Sequence, residues 1–154
     1  MLALLVALFA GAWLRYPGTA PVKLPAGDCN ADLWQHVYLP ARLKVLEPCT
    51  AVDGRVVGMR RESDGDLHIA LDPDRKSVLN LINATHNHRY LVVEIICEHP
   101  TAGGDATKAC EEFNSQVVIP KAGDRVRVTG VYVTDRDNGW NEIHPVSRLE
   151  VLGP

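Results

Sequence analysis

The sequence predicts an all-β domain of five strands, with one short helix between the third and fourth strands. Two observations carry this. Apolar and polar residues alternate at period two in several runs, most cleanly in Arg125-Val-Arg-Val-Thr-Gly-Val-Tyr-Val-Thr-Asp135, and period two is the repeat of a strand. Turn signals separate the runs: Ser63-Asp-Gly65, Asp72-Pro-Asp-Arg75 and Arg136-Asp-Asn-Gly139, the Asn-Gly pair being a strong hairpin mark.

Taken in order, the first strand is expected at Thr50–Glu62, long and β-branched, with Gly54 and Gly58 marking a bulge or a sharp bend. Asp66–Asp72 is the second, with Leu67, Ile69 and Leu71 inward. Ser77–Arg89 reads as irregular and polar. Tyr90–Cys97, the most apolar run, is the third strand, interrupted by Glu94. A Gly/Thr/Pro loop leads to a short helix within Ala106–Phe113, then to the fourth strand at Arg125–Asp135 and the last at Trp140–Leu152. That succession is the oligonucleotide/oligosaccharide-binding (OB) type of Greek-key barrel, closed by a strongly curved first strand. A β-sandwich would normally want more strands than five.

The 154 residues fit one domain. Residues 1–20 read as a signal peptide or an N-terminal anchor. Met1–Trp13 is an uncharged apolar run too short to span a bilayer, with small-residue cleavage sites at Ala10-Gly-Ala12 and Gly18-Thr-Ala20. Residues 21–42 read as a linker and N-terminal extension with a helical turn near Asp32–Tyr38, and 43–154 as the OB domain. Cys29, Cys49, Cys97 and Cys110 are an even set in an exported chain, which reads as disulfides. Of three pairings, Cys29–Cys49 and Cys97–Cys110 close the shortest loops. A cysteine zinc site is the alternative, but no Cys-x-x-Cys spacing supports it. The expected address is extracytoplasmic: secreted, periplasmic or membrane-anchored. A membrane would be met only through an uncleaved N-terminal segment.

Several stretches resemble a group of bacterial exported OB-like proteins of unsettled biochemical role. They are Asp64-Gly-Asp-Leu-His68, Val93-Glu94, Pro120–Gly130 and Glu142-Ile-His-Pro-Val146. The resemblance covers residues 50–152 and rests mainly on the first and last of these motifs. It implies fold and export, and carries no catalytic assignment.

Strand parity supplies the functional clue. Asp66 and His68 point away from the inward residues of the second strand. Glu94 points away from Leu91, Val93 and Ile95, while Trp140, Glu142 and His144 alternate with Ile143. All six are expected to converge on one outer face, where OB folds bind ligands. The leading expectation is a non-enzymatic binding module for a short polymer (nucleic acid or oligosaccharide) or a protein partner, needing no cofactor. One alternative is a small metal-dependent phosphodiester hydrolase built on His68, Glu94, Glu142 and His144. Within it the best metal ligands are His68, Glu94 and His144, without a short spacing such as His-Glu-x-x-His. The other alternative is a structural interaction domain whose His and Glu residues form a hydrogen-bond network. Net charge is −3, one unit more negative without Arg15, and disfavours nucleic acid. Arg55, Arg60, Arg61, Arg125 and Arg127 nevertheless form a modest basic stripe. His86 and His88 fall in a polar loop, and Asn83-Ala-Thr85 fits a glycosylation acceptor. No nucleophile elbow, phosphate loop or Cys/His pair for covalent catalysis is present.

Overall fold

A computed structural model describes residues 22–154, so the leader expected over residues 1–20 lies outside the described residues. Strand β1 (Val22–Lys23) is followed by 3-10 turns at Ala26–Asp28, Ala31–His36 and Pro40–Arg42. Then come β2 (Leu43–Arg61), β3 (Leu67–Pro73), a 3-10 turn at Lys76–Val78, helix α1 (Leu81–His86) and β4 (Leu91–Ile95). Helix α2 (Ala106–Ala109), β5 (Arg125–Asp135) and β6 (Asn141–Gly153) complete the order. Strands β2 to β6 form a five-stranded sheet closed into a ring, β2–β3–β4–β6–β5 and back to β2, with β1 added beside β2. The ring pairs are antiparallel except β4–β6, a short parallel pairing at Val92–Glu142 and Val93–Ile143.

Closure depends on β2. Its residues 43–55 run against β5 and its residues 54–61 against β3, so one strand serves both sides of the ring. The bend falls at a register shift between Val56 and Gly58. Where backbones cross, only hydrogen fits: a Cβ on Gly54 would stand 2.6 Å from the Asp72 carbonyl, and one on Gly130 2.5 Å from that of Pro145. β2 begins earlier than the expected Thr50. Pro48, which cannot donate to a ladder, masks the start in sequence, and it lies inside the register shift between Glu47 and Thr50 where the ladder is already interrupted.

Leu67, Ile69 and Leu71 of β3, Leu91, Val93 and Ile95 of β4, Val126, Val128 and Tyr132 of β5 and Ile143 of β6 share one core inside the ring. A second cluster lies on the opposite face: Leu33 and Val37 from the N-terminal extension pack with Leu43, Ile96, Cys97 and Val133. The extension is thus a cover over part of the outer face. At about 25 cal/mol per Å² of apolar surface, burying two such side chains holds it down by roughly 3 kcal/mol or more.

The stretch 77–89, expected to be irregular, contains α1. Its start is a reciprocal cap: the Asn80 side chain accepts from the Asn83 N–H at 3.0 Å and the Asn83 side chain from the Asn80 N–H at 3.1 Å. Asn83 is fully buried, and its amide donates to the carbonyls of Tyr90 and Asn141 at 3.1 and 2.9 Å. That overturns its reading as a glycosylation acceptor, since the nitrogen is engaged and closed off from solvent. α2 is shorter than expected. Cys110 is tied back to Cys97 and Glu112 takes a left-handed φ of 56°, which stops the helix.

Disulfides join Cys29 to Cys49 and Cys97 to Cys110, which fits an oxidising, extracytoplasmic compartment. With all four sulfurs bonded, the alternative of a cysteine zinc site falls away. Among the described residues no helix is long and apolar enough to cross a membrane.

Candidate functional site

The ladders bring the polar residues of three strands together. His68 is the cross-strand partner of Glu94, and Glu142 lies beside Val92 across the parallel pairing. The Glu94 carboxylate is shared: Oε1 lies 2.8 Å from His68 Nε2 and Oε2 2.7 Å from His144 Nδ1. His144 Nδ1 also meets Glu142 Oε1 at 3.2 Å, while Glu142 Oε2 accepts from the Trp140 indole N–H at 2.8 Å. Asp66 completes the set, its Oδ2 lying 3.9 Å from His144 Nε2 and its Oδ1 accepting from the Cys97 N–H at 2.9 Å. All six sequence-predicted residues therefore belong to one connected group.

Their setting corrects the sequence expectation. Asp66, Glu94, Glu142 and His144 are at most 1% exposed, so they do not form an exterior patch. The parity was read on the sheet alone, whereas the N-terminal extension lies across this face and brings Arg42 with it. Arg42 pairs with Asp135, and its guanidinium lies 3.9 Å from Glu94 Oε2 and 4.0 Å from Glu142 Oε1. Only His68 and Trp140, both partly buried, carry the group outward.

The electrostatics follow from burial and pairing. Burial alone would lower the His144 pKa, but Glu94 and Glu142 outweigh it and raise it to about 10, so the ring is an imidazolium at neutral pH. Burial pushes Asp66 up to about 7 against the pull of His144. Burial would likewise raise Glu94, but His144 and His68 hold it well below the usual carboxylate range. Glu142, buried and beside Glu94, is raised instead.

No known protein family model and no curated protein matches this chain. The geometry alone therefore speaks for the site.

A cleft of about 320 Å³ opens over the buried group, lined among others by Tyr38, Arg42, Arg60, Glu62, Asp64, His68, Asn138 and Trp140. A second depression of about 220 Å³ lies next to it and shares Arg60, His68 and Trp140 with the first. At this ridge Arg60 Nη2 is 3.3 Å from His68 Nδ1, and Arg60 also pairs with Glu62. Sequence reasoning missed Arg42, Asp135 and Tyr38. Arg42 had served only as the edge of the domain, and nothing in its neighbours announces a cation. Asp135 had a signal: in Asp135-Arg-Asp-Asn-Gly139 it accepts from the backbone N–H groups of Asp137 and Asn138 at 2.8 and 3.3 Å.

Most of the basic stripe is neutralised, and every arginine in it has a partner. Arg125 pairs with Asp74, Arg127 forms a fork with Asp53 at 2.7 Å on both arms, Arg61 does so with Glu98 at 3.1 Å, and Arg55 bonds the Gly123 carbonyl. The metal candidates His68, Glu94 and His144 are not arranged about one centre either, because the two imidazoles sit on different oxygens of the Glu94 carboxylate. His86 bonds Thr85, and His88 tilts toward Tyr90.

Proposed function

We propose that the chain is an exported OB-type binding module, without catalytic activity, that takes a short neutral polymer, an oligosaccharide, in the cleft beside Trp140. The observation that carries this reading is the make-up of the cleft. An aromatic ring borders donors (Arg60, Asn138) and acceptors (Glu62, Asp64), and the lining carries more carboxylates than arginines, which suits a ligand without negative charge. Sugar recognition needs a flat apolar face for the ring and alternating donors and acceptors for hydroxyls. A nucleic-acid ligand would need unpaired cations to follow its phosphates, and the arginines of the stripe already have carboxylate or carbonyl partners. Export is supported by the two disulfides and by the apolar leader.

The test is a two-dimensional NMR titration of the isotope-labelled protein with chitotetraose, cellotetraose and a twelve-residue oligo-dT. A saturable shift of the Trp140 indole and the Arg60 side chain with a tetrasaccharide, insensitive to salt and abolished by Trp140→Ala, supports the reading. Salt-sensitive binding of oligo-dT centred on Arg125 and Arg127 overturns it.

A second reading rests on the burial itself. A group with no exposure at Glu142 and His144 pins the register of β4 against β6 whether or not a ligand binds. On that reading the domain is a structural interaction module, and the three titrations show no saturable shifts.

A further inference from the structure

Among the described residues six buried side-chain atoms lack a hydrogen-bond partner, and three of them, Asp66 Oδ2, Glu94 Oε2 and His144 Nε2, belong to one cluster, with Asp66 Oδ2 3.9 Å from His144 Nε2. Donor atoms of these three residues lie within 4.8 Å of each other, and all three side chains are almost wholly buried. Glu94 Oε2 is close to His144 Nδ1 at 2.7 Å, yet off the line of its N–H, which points to Glu142 Oε1. Buried polar atoms are ordinarily satisfied, so the unbonded Asp66 Oδ2 and His144 Nε2, facing each other at 3.9 Å beside Glu94, call for an explanation.

Charge balance admits a cation there. Asp66, Glu94, Asp135 and Glu142 are buried carboxylates, and the cations that reach them from within are Arg42 and His144, with His68 touching Glu94 from the rim. The interior holds more anionic than cationic groups, and it must take up protons or a cation. His144 is also oriented as an outer carboxylate orients a metal-bound imidazole: Nδ1 is fixed by a glutamate and Nε2 is left facing another carboxylate.

We infer that Asp66, Glu94 and His144 form a buried site for one divalent transition-metal cation, zinc or manganese, with a structural role. One imidazole and two carboxylates suit these ions better than calcium, which prefers more oxygens, or copper(I), which prefers sulfur. Two ligands on a tetrahedral zinc stand about 3.4 Å apart. The His144 Nε2 to Asp66 Oδ2 separation is 3.9 Å, so loading draws that pair together by about half an ångström. Binding through Nε2 displaces its proton, so uptake releases protons and strengthens as pH rises. The inference does not rest on the oligosaccharide reading, since Asp66 and His144 lie outside the lining of the cleft and only Glu94 is shared with it.

The experiment uses the whole exported chain, stripped with EDTA, dialysed, and mixed in turn with ZnCl2, MnCl2 and CaCl2. Expected are about one equivalent of zinc or manganese retained through gel filtration, a melting temperature that climbs with metal concentration, and loss of both in Asp66→Asn but not in the distant Asp74→Asn. If Asp66→Asn does not fold, the imidazole nitrogen resonances of the natural chain decide. Zinc shifts Nε2 of His144 strongly and His68, which bonds the same Glu94 carboxylate, much less. Retention well under one equivalent, a thermal shift that survives Asp66→Asn, or an unmoved His144 ring each overturns the site.

Discussion

His144 has no exposed surface and lies within hydrogen-bond reach of two carboxylates, one from a neighbouring strand and one two residues back on its own strand. Taking an imidazolium and its partners out of water costs several kcal/mol per ion, and the mutual attraction offsets that only when both partners stay in place. Removing the ring leaves Glu94 and Glu142 facing each other, with His68 on Glu94, Trp140 on Glu142 and the more distant Arg42 as their remaining partners. His144→Ala is therefore expected to destabilise the protein by about 3–5 kcal/mol in urea unfolding; a loss below about 1 kcal/mol would mean that the ring is a passenger. At this scale much was legible beforehand. Alternation along three strands placed Asp66, His68, Glu94, Glu142 and His144 on one side of the sheet, because side-chain direction in a strand is fixed by parity. What parity cannot give is depth. Nothing in residues 64–144 tells that Leu33, Val37 and Arg42 will lie over that side.

The elements that hold the site are β4 and β6, and their contact is short: a parallel pairing of Val92 and Val93 with Glu142 and Ile143. The loop beyond β4 is fixed instead by the Cys97–Cys110 bond, and the Cys97 N–H orients Asp66. A loop of 13 residues closed by a disulfide contributes about 3 kcal/mol. In a Cys97→Ser/Cys110→Ser variant, a loss of that size in urea unfolding is expected, together with altered amide shifts at Asp66; unchanged stability would contradict it. Strand boundaries were readable to within a residue or two where period two is unbroken, as in β5. They were not readable at Leu43–Cys49, where Pro48 interrupts the pattern. The cap that creates α1 is a pair of asparagines, which in sequence are as common in loops as at helix starts.

Across the whole molecule, β2 feeding both β3 and β5 closes the ring, and the N-terminal extension seals a face that carries ions. The ion group sets how stability varies with pH. His144 has a folded pKa of about 10 against an ordinary 6.5, so its contribution is complete below about 6.5 and is lost as pH rises toward 10. Asp66, raised to about 7, acts in the same direction from its ordinary 3.8 upward, and Glu142, also raised, joins it. Glu94 is held low, so its contribution is present above its ordinary 4.5 and is lost as pH falls below that. Stability of the metal-free protein should therefore be greatest in mildly acidic solution. The measurement that tests this most directly is the unfolding free energy in urea, with EDTA present, at intervals from pH 5 to pH 10. The account requires a fall between pH 7 and 9 with a slope approaching about 1.4 kcal/mol per pH unit for the proton His144 keeps. A buried neutral imidazole would instead make stability rise with pH through about 6.5 and then level off, and that result would contradict the shared-cation site.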